Sequence, residues 1–165
     1  MPTPFPCKQC GKCCSTLEKE EWTGISLFPW ETHLFPKEAI RPSLGLGENP
    51  DHPEFKLILH TYSAPNCKHL DDNRCTIHPH RPLVCRSYPF RATKQGNKNI
   101  YVVAPECTVI EDWPDTRTIW KRYDEMDAAD LILDHLSRFY KATEPKWRYI
   151  PEKDWTRIGT VKKHG

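Results

Sequence analysis

No run in this chain approaches the roughly eighteen consecutive apolar residues of a membrane-spanning helix, so no membrane segment is expected. The opening Met-Pro-Thr-Pro-Phe-Pro lacks both the basic start and the apolar stretch of a cleaved leader, which points to the cytoplasm rather than export. Charge of one sign is missing too. Lysine and arginine number 24 against 22 aspartates and glutamates, and a net charge of +2 gives no bulk electrostatic reason to bind nucleic acid. There is no glycine-rich nucleotide loop and no radical-type Cys-x-x-x-Cys-x-x-Cys. Hydrophobic residues are sparse at 38%, below the usual soluble share.

Proline and cysteine are abundant instead. The 16 prolines are about twice the ordinary share and predict a loop-rich chain, while 165 residues suffice for one domain with a core that needs no covalent staples. We therefore read residues 1–165 as a single domain of α+β class, with short strands, irregular loops and one long C-terminal helix. Eight clustered cysteines in a reducing compartment favour metal binding or redox work over a disulfide framework.

Local patterns place the cysteines. Residues 1–15 form a loop, since Pro2, Pro4 and Pro6 oppose a helix and Gly11 lets the backbone wrap. Ser15-Thr16-Leu17-Glu18 has the pattern of a capping box. Ile25–Phe28 reads as a strand, 29–34 as a helical turn, 41–54 as a proline- and glycine-rich loop, and 55–62 as a strand. Asp71-Asp72-Asn73 turns a tight hairpin whose arms carry Cys67 and Cys75. Arg81 to Arg86 is a proline-led helical turn presenting Cys85, and 99–104 is the strongest strand, delivering Cys107 past its end. Ile119, Tyr123, Met126, Leu133, Leu136 and Tyr140 predict a scaffold helix over 115–142. Residues 143–165 form a basic aromatic tail, read as a solvated face or terminal strand ahead of a nucleic-acid surface.

Cys7-x-x-Cys10-x-x-Cys13 puts three thiols on one turning loop, the way cubane clusters take three corners, with the fourth ligand from elsewhere. Structural zinc sites draw ligands as two short-spaced pairs, whereas Cys67, Cys75, Cys85 and Cys107 are separated by seven, nine and twenty-one residues. That favours an iron-sulfur cluster of 4Fe–4S type over Zn2+. Cys14 follows Cys13 directly, and on extended backbone the two would face opposite ways. Eight thiols then divide between two centres, or serve one centre with the remainder as redox partners or small buried hydrophobes. His69, His78 and His80 are read as turn residues before ligands. Arg74, Arg81 and Arg86 could offset thiolate charge or form surface ion pairs.

Cys7-Lys-Gln-Cys10-Gly11-Lys12-Cys13-Cys14, with Cys67-x-x-Leu70, Arg74-Cys75-x-Ile77-His78 and Arg81-Pro82-x-x-Cys85-Arg86-x-Tyr88-Pro89-Phe90, resembles the CxxCxxCC, or YkgJ-type, cysteine cluster family. The resemblance covers residues 5–107 and implies zinc or iron chelation. It makes Cys7, Cys10, Cys13, Cys14, Cys67, Cys75, Cys85 and Cys107 the candidate metal ligands. A related domain in flagellin lysine methylases goes with iron-sulfur chemistry. The function expected is a metal-binding protein with a redox, sensing or accessory role, whose partners are a metal ion or cluster and, in the accessory role, another protein. The alternatives are a methyl-transfer or redox enzyme using the centre, and a zinc-stapled module for protein or RNA.

Overall fold

The computed structural model describes residues 2–15, 24–113 and 121–159. It is an α+β fold whose main layer is a five-stranded antiparallel sheet. Strands β1 (Ile25–Leu27), β2 (Ile40–Leu46) and β3 (Lys56–Tyr62) form one side of it, ordered β1-β3-β2. Two tiny strands, β4 (Leu70–Asp71) and β5 (Arg74–Cys75), make a separate hairpin. Helix α1 (Leu83–Ser87) follows, then the hairpin of β6 (Phe90–Gln95) and β7 (Lys98–Val103). After the short α2 (Thr108–Glu111) and the long α3 (Asp124–Lys141), strands β8 (Lys146–Ile150) and β9 (Asp154–Ile158) return to the main sheet, β8 pairing with β2. No helix among the described residues is long and apolar enough to cross a membrane.

Most local readings agree with these elements, including the 3-10 turn at Pro29–Leu34. Three do not. The stretch 41–54, read as a loop, supplies most of β2. Its proline is tolerated because β8 pairs only with Leu44 to Leu46, so Pro42 has β3 on one side and no ladder to feed on the other. Gly45 has a packing role: a Cβ there would lie 2.2 Å from the Phe55 ring, which crosses the strand at that point. Strand β6 went unread, although Phe90 and Ala92 are buried, Arg91 is exposed, and Gly96 at φ 60° turns the hairpin. The basic aromatic tail agrees with its terminal-strand reading: up to Ile158 it is largely the β8–β9 hairpin.

Helix α3 begins later than its hydrophobic spacing predicts. Tyr123 is extended (φ −109°, ψ 150°), bridged to Thr3 and stacked on the Phe90 ring, so helical geometry starts at Asp124. The expected stretch 115–120, like the capping box over 16–18, lies outside the described residues. Asp124, Glu125 and Asp127 in the first turn and Arg138 and Lys141 in the last complement the helix dipole.

Helix α3 separates two apolar clusters. On one side Met126 and Ala129 pack with Phe5, Phe90, Cys107 and Ile110; on the other Ala128 and Phe139 meet Phe28, Leu44, Leu59 and Leu83. A third cluster, centred on Ile25, Leu27, Phe35, Tyr62 and Cys67, lies under the cysteine-bearing loops. The helix is also tied to β7 by Asp130, whose carboxylate accepts hydrogen bonds from Asn99 (2.7 Å), Tyr101 (2.8 Å) and Arg122 (2.9 Å). Burial alone would raise the Asp130 pKa, but these donors outweigh it and hold the carboxyl below the usual range.

Asp130→Ala leaves Asn99 and Tyr101 without this acceptor, while Arg122 keeps Asp127, and should cost about 1–3 kcal/mol at neutral pH, read as a lower urea midpoint. Because the folded pKa is depressed, that contribution is present above about pH 4 and is lost as pH falls through the folded value. The gap between wild type and variant should therefore narrow on acidification. Equal midpoints at pH 7 would refute the assignment.

Candidate metal centre

The N-terminal segment has no regular structure of its own until Lys12, so tertiary contacts must hold it. Thr3 pairs with Tyr123, the Thr3 carbonyl accepts the Asp124 amide at 3.0 Å, and the Phe5 amide donates to Glu125 Oε2 at 2.9 Å. The Phe5 ring then packs edge-on against Phe90 and Tyr123. Two exposed ion pairs, Lys8 with Asp112 and Lys12 with Glu111, lay the following loop along α2. Exposed pairs of this kind add little energy, so the buried Phe5 is the anchor.

Gly11 turns the loop. It has φ +74°, and a Cβ would come within 3.2 Å of Asn73 Oδ1 and 3.4 Å of the Leu70 side chain. Past it, Lys12–Cys14 is a 3-10 turn, the Cys67 amide donates to the Cys14 carbonyl at 2.8 Å, and Ser15 bridges Asn66.

The other four cysteines come from separate elements. Cys67 precedes the β4–β5 hairpin, whose turn places Asp72 and Asn73 at positive φ, and Cys75 lies on β5. Cys85 is on α1, whose first amide, Leu83 N–H, donates to the buried Glu31 carboxylate at 2.7 Å. Cys107 caps the start of α2. Cys7, Cys10, Cys13, Cys14, Cys67, Cys75, Cys85 and Cys107 all line one cavity of about 320 Å³. Cys67 and Cys107 are buried, Cys14, Cys75 and Cys85 half-buried, and Cys7, Cys10 and Cys13 exposed.

The thiols differ sharply. Cys14 lies against both Cys13, with sulfurs 3.9 Å apart, and Cys67. Its contacts lower the Cys13 and Cys67 thiol pKa values, while the same contacts and burial push its own up. A hydrogen bond from Thr108 (3.1 Å) lowers Cys10. Burial raises Cys75 and Cys85, the latter further through neighbouring Cys67, Cys13 and Cys75. The expectation that Cys13 and Cys14 face opposite ways rested on extended backbone. The 3-10 turn brings their sulfurs together instead.

Among the described residues no three His, Cys, Asp or Glu side chains already close at ligand spacing around a point. The fit to a metal group is one of chemistry. Eight soft thiols suit zinc or iron-sulfur, and the one carboxylate in the cavity wall, Glu125, is taken up by the Phe5 amide and Arg81. Arg81 is the one of the three flanking arginines in that wall. Its Nε is buried with no acceptor among the described residues, leaving a cationic donor to offset thiolate charge. Of the histidines, His69 is engaged by the Leu34 carbonyl at 2.6 Å, His78 accepts from Arg81 at 2.7 Å, and His80 is exposed.

Residues 6–108 match the family model CxxCxxCC, described as "Putative zinc- or iron-chelating domain". The chain belongs to the CxxCxxCC family. No curated protein and no solved structure matches it. The CxxCxxCC match contains all eight cysteines and ends before α3, so Glu125 lies beyond the family region although it reaches back to Phe5, the residue before that region starts. Glu125 and Thr108 were not singled out from the sequence. An acid in a first helical turn reads as a dipole partner, and nothing local announces a contact 120 positions away.

Gly11→Ala should destabilise the chain by about 1–3 kcal/mol, because alanine is strained at φ +74° and its methyl meets Asn73. A denaturation midpoint equal to wild type would show that the loop does not need this turn.

Proposed function

We propose that this chain holds metal through its eight cysteine thiolates, as an iron-sulfur centre in preference to zinc, in a reducing compartment. The observation that carries the reading is the convergence of all eight thiols, from five separate stretches of chain, on one cavity. Chelation agrees with the family, and the preference for a polynuclear group rests on volume and number. A zinc ion with four thiolates at about 2.3 Å uses half the donors, and one such ion is small beside a cavity of about 320 Å³. A Cys-x-x-Cys-x-x-Cys head also suits three corners of a cubane. Binding would draw the thiols inward, with the Arg81 cation beside the thiolates. The group would supply one-electron chemistry, which suits electron transfer, sensing or service to a partner enzyme.

Anaerobic purification followed by metal, acid-labile sulfide and absorption analysis tests this. A coloured protein with iron and sulfide is the expected result. Colourless protein with stoichiometric zinc would overturn the cluster and keep chelation; neither metal would overturn both. Cys67→Ala should lower the metal bound per chain, since it removes a low-pKa thiolate that lies against Cys14. Undiminished metal in that variant would remove Cys67 from the ligand set.

A further inference from the structure

Arg81 is held firmly, yet one of its donors is unused. Its backbone runs into Pro82, which is fully buried, and Leu83, whose amide is fixed by the Glu31 carboxylate. Its Nη1 donates to His78 Nε2 at 2.7 Å, and its Nη2 faces Glu125 Oε1 at 4.0 Å. A guanidinium is always protonated and acts only as a donor. The remaining donor, Nε–H, is buried and meets no acceptor among the described residues. A buried cation with an unmatched donor is costly, so the position calls for a partner. Arg74 and Arg86 differ: both are exposed, and neither belongs to the cavity wall.

Arg81, His78 and Glu125 all line the thiol cavity. Two acceptors in that wall are already engaged, His78 Nε2 by Arg81 itself and the Glu125 carboxylate by the Phe5 amide. What the wall holds in number is sulfur. The Arg81 charge reaches Cys13, Cys75 and Cys85, where it favours the thiolate. A neutral thiol is a weak acceptor, but a metal-bound sulfur carries negative charge, and a charge-assisted hydrogen bond is about twice as strong as a neutral one. A ligand sulfur is therefore the partner that suits this donor.

We infer that Arg81 tunes the bound group, its Nε–H donating to a metal-bound sulfur while His78 and Glu125 hold the guanidinium in place. This rests on the chelation reading above and adds to it the residue that sets the electronics of the centre. A hydrogen bond and a fixed positive charge both stabilise electron density on the ligand sulfurs, so the more reduced state is favoured and the reduction potential rises. The same stabilisation lowers the energy of the sulfur lone pairs. Thiolate-to-metal charge transfer then moves to higher energy.

The test is an anaerobic cobalt(II) titration of the reduced full chain, comparing wild type with Arg81→Gln and Arg81→Lys by their thiolate-to-cobalt charge-transfer band. Lysine keeps the charge that faces Glu125 but lacks the planar fork and its Nε–H. Both variants should take up as much cobalt as wild type, with the band moved to lower energy, further for glutamine than for lysine. In protein loaded with an iron-sulfur cluster, Arg81→Gln should shift the reduction equilibrium about tenfold towards the oxidised state, ~59 mV for one electron. Far-UV circular dichroism checks folding, and if the glutamine variant unfolds, the lysine variant carries the comparison. Should neither fold, or should a folded lysine variant lose its cobalt, Arg81 is structural and the inference falls. Bands at the wild-type position in both variants would overturn it too and leave chelation standing, with a water rather than a sulfur on Nε. A band fully restored by lysine would show that charge alone acts and would remove the directed hydrogen bond. No band in wild type would sink the chelation reading itself.

Discussion

A single carboxylate joins two walls of the thiol-lined cavity. Glu125 accepts the Phe5 amide on one oxygen at 2.9 Å and faces Arg81 across 4.0 Å with the other. Both side chains of that ion pair are largely buried, where an unpaired charge is costly, so the arrangement holds only if all three partners stay in place. Phe5 belongs to the segment that carries Cys7 to Cys14, and Arg81 leads into the helix that carries Cys85. The first turn of α3 therefore ties the head loop to the segment that leads into Cys85, although α3 contributes no thiol.

This division of labour runs through the molecule. The five-stranded sheet and the long helix bury the apolar residues and contain no cysteine. The thiols sit on short elements and junctions: a 3-10 turn, a two-residue strand, a five-residue helix, the first residue before another helix. Such elements are not stable alone, so their geometry is inherited from the scaffold through a few directed contacts, among them Glu31 to the Leu83 amide and Cys67 to the Cys14 carbonyl.

How much of this was legible depended on range. Features encoded within a few residues were readable: the Asp72-Asn73 turn, the 3-10 turn after Phe28, the alternation that makes β7, and the cysteine spacings that carry the family. What depended on distant partners was not. Pro42 looks like a loop residue until β8 is known to stop at Leu44, and Tyr123 fits a helical stripe until Thr3 pairs with it. The cavity could be anticipated as a set of residues but not as a shape. The adjacency of the Cys13 and Cys14 sulfurs followed from a local 3-10 turn that Gly11 and Asn73 impose together.

The long chain separation between the cavity's walls also bears on assembly. Cys7 to Cys14 leave the ribosome far ahead of Cys107, and Glu125 follows later still. At about 5–20 residues per second, the head loop waits on the order of ten seconds for the residues that fix it. During that interval its thiols are unscreened and its Gly11 turn unsupported. A cavity closed across such a distance is complete only once Glu125 has been made, and until then the head's thiols lie open to oxidants.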